Sequence, residues 1–176
     1  MRTVTYGAAC SADGFIAAAD GAIDWLHWSP DVTKIMQDYW ATVDTIVMGR
    51  KTWDVAAGQG DGGPMGGMRT YVFSRTLKKI EQKNVTLVTD DAAEFVRKLK
   101  DGPGRDICVL GGGQLARSLL AAGVIDEIGF NMHPMLLGSG VPLFLDPGRR
   151  IPLQLKACRT LDGGCVYATY RVVPVT

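Results

Sequence analysis

The sequence predicts an α/β fold whose sheet is mostly parallel in its first part and ends in an antiparallel hairpin. Up to Gly123, short apolar runs of strand length alternate with segments whose apolar residues recur at helical spacing. Such alternation is typical of βαβ units, in which a helix crosses between parallel strands. Beyond Gly123 the runs are strand-like, and Asp162-Gly163-Gly164 has the composition of a hairpin turn.

Strands are expected where β-branched and aromatic residues gather between turn residues. In chain order they cover residues 4–10, 45–48, 70–73, 85–88, 106–110, 127–133, 153–161 and 166–172. A long loop rich in glycine, alanine and aspartate is expected at residues 11–21. The glycine-rich segment 58–67 is interpreted as a mobile loop and not as a linker, because a strand-like run resumes directly after it.

Three helices are expected between these strands. The second covers residues 91–100, with Asp91 as a possible N-cap and Glu94 three residues later. The third covers residues 114–122, and Gly123 is placed to end it. The first begins at Ser29-Pro30-Asp31, because the apolar residues that follow recur on one helical face: Val32, Ile35, Met36, Tyr39 and Trp40.

Length, composition and charge limit the class of protein. With 176 residues, 47% of them apolar, we expect one core and a single domain over residues 1–176. The net charge is only +1 and the basic residues are scattered, so neither nucleic acid nor a membrane surface is an expected partner. The chain shows no signal-peptide pattern and no run of about 20 apolar residues, which predicts a cytoplasmic protein.

The cysteines are expected to be structural. Cys10, Cys108, Cys158 and Cys165 lack the paired spacing of metal ligands, and three of them lie in strand-like runs. A buried thiol there behaves as a small hydrophobic group. We therefore expect neither a metal site nor redox chemistry at these positions.

Three glycines break the apolar run that starts at Asp106, and a helical pattern follows them. Residues without a Cβ atom let an anion approach the backbone N–H groups at a helix start, so Gly111, Gly112 and Gly113 suggest a phosphate site. The alternative is that they only make a sharp connection between strand and helix. The glycine cluster alone leaves both interpretations open.

Two further strand ends carry groups that suit an anion. Gly49, Arg50, Lys51 and Thr52 follow one apolar run, and Ser74 and Arg75 follow another. In open α/β sheets, ligands bind beyond the carboxyl ends of the strands. Three such sites at one edge predict a ligand with several phosphates, and a dinucleotide fits better than a single phosphate.

Other nucleotide-binding and catalytic patterns fit less well. Residues 111–116 satisfy the Gly-x-Gly-x-x-Gly/Ala fingerprint, but the next strand carries Asp126 and Glu127 at its start and Asn131 near its far end. A Rossmann fold needs an acid at that far end. There is neither a nucleoside-triphosphatase loop nor a Gly-x-Ser-x-Gly elbow. His133, before Pro134, is interpreted as a packed or surface residue and not as a base.

The ordered set of motifs resembles the dihydrofolate reductase superfamily over nearly the whole chain. A segment at 134–144 (PMLLGSGVPLF) is similar to the reductase domain of the bifunctional riboflavin-biosynthesis deaminase-reductase and its single-domain relatives. The superfamily motifs are 11–17 (SADGFIA), 47–53 (VMGRKTW), 73–75 (FSR), 109–113 (VLGGG) and 125–128 (IDEI).

The resemblance implies a three-layer fold with a central sheet of about eight strands and flanking helices. It also implies NADPH as the cofactor and hydride transfer to a small heterocyclic or carbonyl substrate. That substrate could be 5-amino-6-(5-phosphoribosylamino)uracil, in riboflavin biosynthesis, or a dihydrofolate. In relatives, the segment 136–144 helps to pair two subunits, and the strands after Ile125 are apolar, so a homodimer is expected.

The resemblance also assigns roles to individual residues. Residues around the pyrophosphate and the phosphates of the adenosine half are Gly49, Arg50, Lys51, Thr52, Ser74, Arg75, Leu110, Gly111, Gly112, Gly113, Gln114 and Leu115. Residues that line the nicotinamide are Ala9, Ile16 and Ala17. The substrate side has Trp25, Asp31 and Ile35, and the loop 11–21 is expected to act as a lid over the nicotinamide.

Two features depart from the family pattern. Folate reductases carry an acid on the first helix, and the nearest candidate for this catalytic role is Asp31, with Asp38 further on. Asp31 is also well placed as the N-cap of that helix, after Ser29-Pro30, and this structural role is favoured over substrate contact. The riboflavin-pathway enzymes also carry a zinc deaminase domain, for which this chain has no room, so reduction alone is expected.

Hydride transfer needs little covalent chemistry from the protein, so the absence of an obvious nucleophile does not argue against an enzyme. The alternative function is a dinucleotide-binding module of the same fold without turnover.

Overall fold

The computed structural model describes residues 1–58 and 67–174. Its central sheet has eight strands in the order β5-β4-β3-β6-β1-β7-β10-β9. These strands are β1 Val4–Ser11, β3 Val43–Gly49, β4 Arg69–Phe73, β5 Val85–Val88, β6 Asp106–Leu110, β7 Glu127–His133, β9 Leu153–Thr160 and β10 Val166–Val172. Strands β2 Phe15–Ala17 and β8 Val141–Pro142 form a separate two-stranded sheet.

Strand direction confirms the predicted α/β class. From β5 to β7 every neighbouring pair is parallel, whereas β10 is antiparallel to both β7 and β9. The turn between β9 and β10 contains Gly163 and Gly164 at φ of 74° and 76°, a conformation that glycine adopts without strain. Asp162-Gly163-Gly164 therefore makes the hairpin turn that its composition predicts.

Helices cover both faces of the sheet, which gives the three layers. They are α1 Pro30–Thr42, α2 Arg50–Ala57, α3 Ala92–Asp101 and α4 Gly113–Ala121. On one face, Val96 of α3 and Leu119 of α4 share a buried cluster with Val4 and Tyr6 of β1. On the other face, Tyr39 and Trp40 of α1 and Trp53 of α2 pack on Ile46, Met48 and Cys108.

Two N-cap residues were predicted, and they differ in outcome. Asp91 is the N-cap of α3, and its side chain accepts a hydrogen bond from the Glu94 N–H at 2.9 Å, as predicted. At α1 the N-cap is Ser29, with Pro30 as the first helical residue, so the prediction of Asp31 as the N-cap is wrong. The hydroxyl of Ser29 accepts from the Val32 N–H at 3.3 Å, which leaves Asp31 in the first turn.

The sequence patterns missed one helix and two short strands. Helix α2 begins at Arg50, and its N-cap, Gly49, has no side chain that could cap it, so no helix-start signal precedes the helix. Strand β2 lies inside the predicted loop 11–21, and its Phe15 and Ala17 pair with β8. Segments this short carry no readable periodicity. Most of the predicted mobile loop 58–67 lies outside the described residues.

Cys10, Cys108 and Cys165 are buried and Cys158 is exposed, so the expectation of a core position is wrong for Cys158 alone. Its strand, β9, lies at the edge of the sheet and is exposed along almost its whole length. Within residues 1–58 and 67–174, no group of histidine, cysteine or acidic side chains could hold a metal ion. No helix in the same ranges has the length and hydropathy to cross a membrane.

Candidate functional site

Two neighbouring strands run into helices at one edge of the sheet. Strand β3 ends at Gly49, the N-cap of α2, and the adjacent β6 leads to Gly112, the N-cap of α4. Neither cap makes a side-chain hydrogen bond to its helix. The first N–H groups of both helices therefore need other partners, and an anion at this edge would satisfy them.

The glycines at these strand ends have different surroundings. A Cβ atom built on Gly49 or Gly112 meets no atom within 4 Å, so both residues border open space. Gly111, at φ +90°, would overlap the side chain of Thr52, and a Cβ on Gly113 would lie 2.9 Å from Leu145 Cγ. Gly111 and Gly113 thus permit close packing, whereas Gly112 borders the free volume that a ligand needs.

Thr52 joins the two helix starts. Its Oγ1, in the first turn of α2, accepts the Gly112 N–H at 3.2 Å. The hydroxyl proton can still be donated to a ligand, as the sequence prediction for Thr52 requires. We call the edge formed by Gly49, Thr52 and Gly112 the rim site.

The predicted cationic residues surround the rim site on exposed positions. Arg50 donates to Asp54 Oδ2 at 2.9 Å and to Thr76 Oγ1 at 3.2 Å, which connects α2 to the loop after β4. Lys51 and Arg75 are exposed, as is Gln114 on the first turn of α4. Leu110 and Leu115 are half-buried and pack against the two cores.

Ser74 lies in a tight turn at the end of β4. It is 9% exposed, and its Oγ accepts the N–H groups of Thr76 and Leu77 at 3.2 and 3.1 Å. This geometry holds Arg75 and Thr76 at the carboxyl edge of the sheet, next to β3. The predicted phosphate contacts of Ser74 and Arg75 stay predictions.

Small, partly exposed residues lie on the central strands below helix α1. On the face that α1 covers, β1 and β7 carry their smallest residues, Gly7, Ala9 and Gly129, and all three are partly exposed although these strands are central in the sheet. Residues Asp31, Ile35 and Tyr39 follow one another at four-residue spacing on α1. We call the space bordered by Gly7, Ala9, Gly129 and Ile35 the α1 cleft.

The short strand β2 carries two of the residues that the family resemblance assigns to the nicotinamide, Ile16 and Ala17. Ile16 is half-buried against the core that α3 and α4 share, and Ala17 pairs with Val141 of β8. A Cβ on Gly140, at φ +157°, would overlap the Ala17 carbonyl oxygen. The Asp13 carboxylate accepts hydrogen bonds from the Ser11 hydroxyl at 2.6 Å and from the Gly138 N–H at 2.7 Å. These bonds fix the first turn of the loop 11–21, the predicted lid.

The hydrogen bonds of Asp31 connect the start of α1 to the hairpin turn before β10. Its carboxylate accepts the Ser29 hydroxyl, the Val32 N–H at 2.9 Å and the Asp162 N–H at 2.8 Å. The bonds from Ser29 and Asp162 lower the pKa of Asp31 below its ordinary value. This keeps the side chain ionised and makes it a weak proton donor. A catalytic role for Asp31 stays a prediction.

A buried polar cluster closes the end of the α1 cleft, and sequence reasoning missed its Asn131. His133 is 2% exposed, and its Nδ1 accepts the His27 N–H at 3.0 Å. The ring of Trp25 meets that of His133 edge-on, with centroids 5.8 Å apart. Burial, followed by the charge of His27, lowers the pKa of His133. His133 is therefore packed, as predicted, and Trp25 lies beside it on the predicted substrate side.

Comparisons with known proteins agree with this architecture. The uncharacterized protein YyaP of Bacillus subtilis is 33% identical over 184 residues, which cover 97% of this chain and 95% of YyaP. A candidate riboflavin biosynthesis protein from Shewanella sp. PV-4 superimposes with a TM-score of 0.86 at 27% identity, covering 98% of this chain and 99% of that one.

A dihydrofolate reductase from Enterococcus faecalis, complexed with NADP(H) and RAB-propyl, superimposes with a TM-score of 0.67. It is 18% identical, and the match covers 97% of this chain and 96% of that one. At this identity it shows the fold alone. Residues 2–167 match the RibD C-terminal domain, so this chain belongs to that family of reductase domains.

Proposed function

We propose that this protein is an NADPH-dependent oxidoreductase that transfers a hydride to a small heterocyclic or carbonyl substrate. The observation that carries the proposal is the rim site, where two helix starts without side-chain caps meet beside open space over Gly49 and Gly112. In this proposal the nicotinamide ring lies beside Ala9, which is partly exposed at the α1 cleft. Residues 1–176 are proposed to act as one domain.

The residues present fit a reduced nicotinamide dinucleotide. Backbone N–H groups of α2 and α4 would hold the pyrophosphate, with Thr52 donating its hydroxyl proton. Arg50, Lys51 and Arg75 offer positive charge to the 2′-phosphate. When bound, the cofactor supplies a hydride to the carbon of a carbon–nitrogen or carbonyl double bond, while a proton reaches the nitrogen or oxygen.

The protein's own part in this reaction is to align the cofactor with the substrate. The β2–β8 pair and the Asp13 contacts fix the segment 11–17, which we propose to cover the nicotinamide. Because the pKa of Asp31 is lowered, its ionised carboxylate is more suited to hold the helix start and the hairpin together than to donate a proton. We therefore assign the proton to water in the α1 cleft.

The substrate classes that family membership favours are 5-amino-6-(5-phosphoribosylamino)uracil and a dihydrofolate. The alternative function is a dinucleotide-binding module without turnover, since the rim site is built independently of the α1 cleft. NADPH oxidation in the presence of either compound supports the enzyme. Binding of NADPH without oxidation by either compound favours the module.

A homodimer in the cytoplasm is part of the proposal. Edge strand β9 exposes Leu153 and Leu155 at 40% and 55%, and Leu136 in the preceding segment is 74% exposed. Apolar side chains on an unpaired edge strand favour association with a second copy. Sedimentation of the purified protein at micromolar concentration tests this, and a monomer would contradict it.

The decisive test of the rim site is Gly112→Val. The backbone at Gly112 (φ −67°, ψ 157°) accepts a β-branched residue and the added Cβ meets no neighbour, so the fold should be unaffected. The side chain would fill the space proposed for the pyrophosphate. We expect NADPH affinity, followed by fluorescence, to fall by roughly tenfold or more, about 1.4 kcal/mol.

Gly102→Val is the matched control, because Gly102 has an ordinary extended backbone (φ −80°) and follows α3, before β6 begins and away from the rim site. Its NADPH affinity should equal that of the unmodified protein. The unmodified protein should also bind NADPH more tightly than NADH. Full NADPH affinity in the Gly112→Val variant would contradict the proposed rim site.

A further inference from the structure

Asn131 is buried in the middle of the sheet, on the face that borders the α1 cleft. In register it pairs with Ala9 of β1 on one side and with Tyr167 of β10 on the other. Directly paired residues of neighbouring strands point to the same face. The side chain of Asn131 therefore shares its face with Ala9, the predicted nicotinamide neighbour, and it is only 7% exposed.

The ring of His133 has only one arrangement of protons that fits its neighbours. Its Nδ1 faces the His27 N–H at 3.0 Å and therefore acts as an acceptor. The thiol of Cys165, 3.5 Å from the same nitrogen, can donate to it as well. A neutral imidazole carries a single proton, so that proton is on Nε2.

The proton on Nε2 determines how the Asn131 amide is oriented. The amide lies 3.1 Å from Nε2, and only its oxygen can accept a proton from that nitrogen. The amide position on the other side, occupied by Oδ1 in the structure, is buried without a hydrogen-bond partner. With the oxygen turned to the ring, the NH2 group takes that unpartnered position.

We infer that Asn131 presents this NH2 group as a hydrogen-bond donor to a carbonyl oxygen or ring nitrogen of the substrate in the α1 cleft. His133 is the positioning residue, because its tautomer holds the amide in the donating orientation. A buried donor without a partner is unfavourable in the free protein, and a ligand acceptor would satisfy it. The inference rests on the proposed reductase function and specifies the chemistry of its substrate.

Two variants separate the donor from the rest of the side chain. Asn131→Asp keeps an oxygen for His133 Nε2 but removes both N–H donors. Asn131→Leu has a similar size and removes the polar groups altogether. Met132→Leu is the matched control, because Met132 lies on the same strand but points to the opposite face.

The rate of reduction of 5-amino-6-(5-phosphoribosylamino)uracil and of 7,8-dihydrofolate is measured with each variant. The concentration of the compound and that of NADPH are varied in turn, which gives a KM for each. For the compound that the unmodified protein reduces, we expect kcat/KM to fall by roughly tenfold or more in both Asn131 variants. The loss should appear in the KM for that compound, while the KM for NADPH and the control variant are unchanged. Unchanged substrate KM, or a rise in the KM for NADPH instead, overturns the inference.

The tautomer provides an independent readout. In ¹⁵N NMR spectra of the labelled protein near pH 7.5, His133 should show a protonated Nε2 and an unprotonated Nδ1. The opposite tautomer overturns the positioning role. A protein that binds NADPH and reduces a compound regardless of residue 131 contradicts only this inference. A protein that neither binds NADPH nor reduces either compound contradicts the proposed function, and with it the role of Asn131.

Discussion

The rim site and the α1 cleft are built in different ways, although both open at the carboxyl end of β1 and its neighbours. The rim site consists mainly of backbone, since two glycine N-caps and one threonine create it. The α1 cleft is closed by side chains that the chain brings together from residues 25, 131 and 133. Under the proposed function, backbone groups of the rim site hold the cofactor, whereas side chains of the α1 cleft select the substrate.

The largest expected effect concerns the difference between two adjacent glycines of the rim. Gly111→Val places a β-branched residue at φ +90° and against Thr52, so both backbone strain and overlap oppose it. We expect a loss of about 2–5 kcal/mol in the free energy of unfolding, measured with urea. Gly112→Val should leave this free energy within about 0.5 kcal/mol of the unmodified value.

If both variants lost the same stability, the distinction between packing and ligand space at the rim would be wrong. The two variants therefore test which glycines support the fold and which leave room for the cofactor. NADPH affinity alone cannot separate them, because an unfolded chain also fails to bind.

The comparison also explains how much the sequence could predict. The rim lies at strand–glycine–helix transitions, which are local, so residues 49–52 and 110–115 were recognisable from spacing and from family resemblance. Even there, the different surroundings of Gly111 and Gly112 depend on Thr52, about 60 residues away.

The α1 cleft could be predicted only in outline. Trp25, Asp31 and Ile35 were predicted from family resemblance. The roles of Asn131 and His133 depend on contacts between residues more than 100 positions apart, such as the hydrogen bond from the His27 N–H to His133. A period-two strand pattern shows that Asn131 and His133 share a face, but not which residues meet them. Helix α2 and strands β2 and β8 were missed for a local reason: the strands are too short to show a periodic pattern, and α2 has no capping side chain that marks its start.

A second prediction probes the cleft through pH. Burial lowers the pKa of His133 below the 6.5 of an ordinary histidine, with a further contribution from the charge of His27. As the pH falls, the unfolded chain therefore takes up a proton before the folded protein does. Stability should be complete above about pH 6.5 and should decrease as the pH falls from there towards the lowered pKa.

Urea unfolding at several pH values between about 7.5 and 5 checks this, because most carboxylates titrate below that range. The groups around the ring are the His27 N–H, the Cys165 thiol, the Trp25 ring and the Asn131 amide. His133→Gln should flatten the profile between pH 7.5 and 5. A profile that is equally steep without the imidazole would assign the pH dependence to another group.

The smallest effect is expected at Asp31, where the two interpretations of the first helix make opposite predictions. Its carboxylate joins the Ser29 cap to the Asp162 N–H of the hairpin, and these bonds lower its pKa. Asn keeps an acceptor oxygen for one of these donors, so Asp31→Asn should reduce kcat only a few-fold if the role is structural. If Asp31 is instead a proton donor or a charged substrate contact, the Asp31→Asn variant should lose roughly 100-fold or more of kcat.

Asp38→Asn is the matched control, since Asp38 is exposed on the same helix and pairs with Lys34. The dependence of kcat on pH adds a second criterion, because a structural aspartate leaves the profile of the variant parallel to that of the unmodified enzyme. A large fall in kcat would move Asp31 into the reaction itself if the pH dependence also changed: a lost decrease of kcat towards high pH identifies a proton donor, and a lost decrease towards low pH identifies an ionised substrate contact.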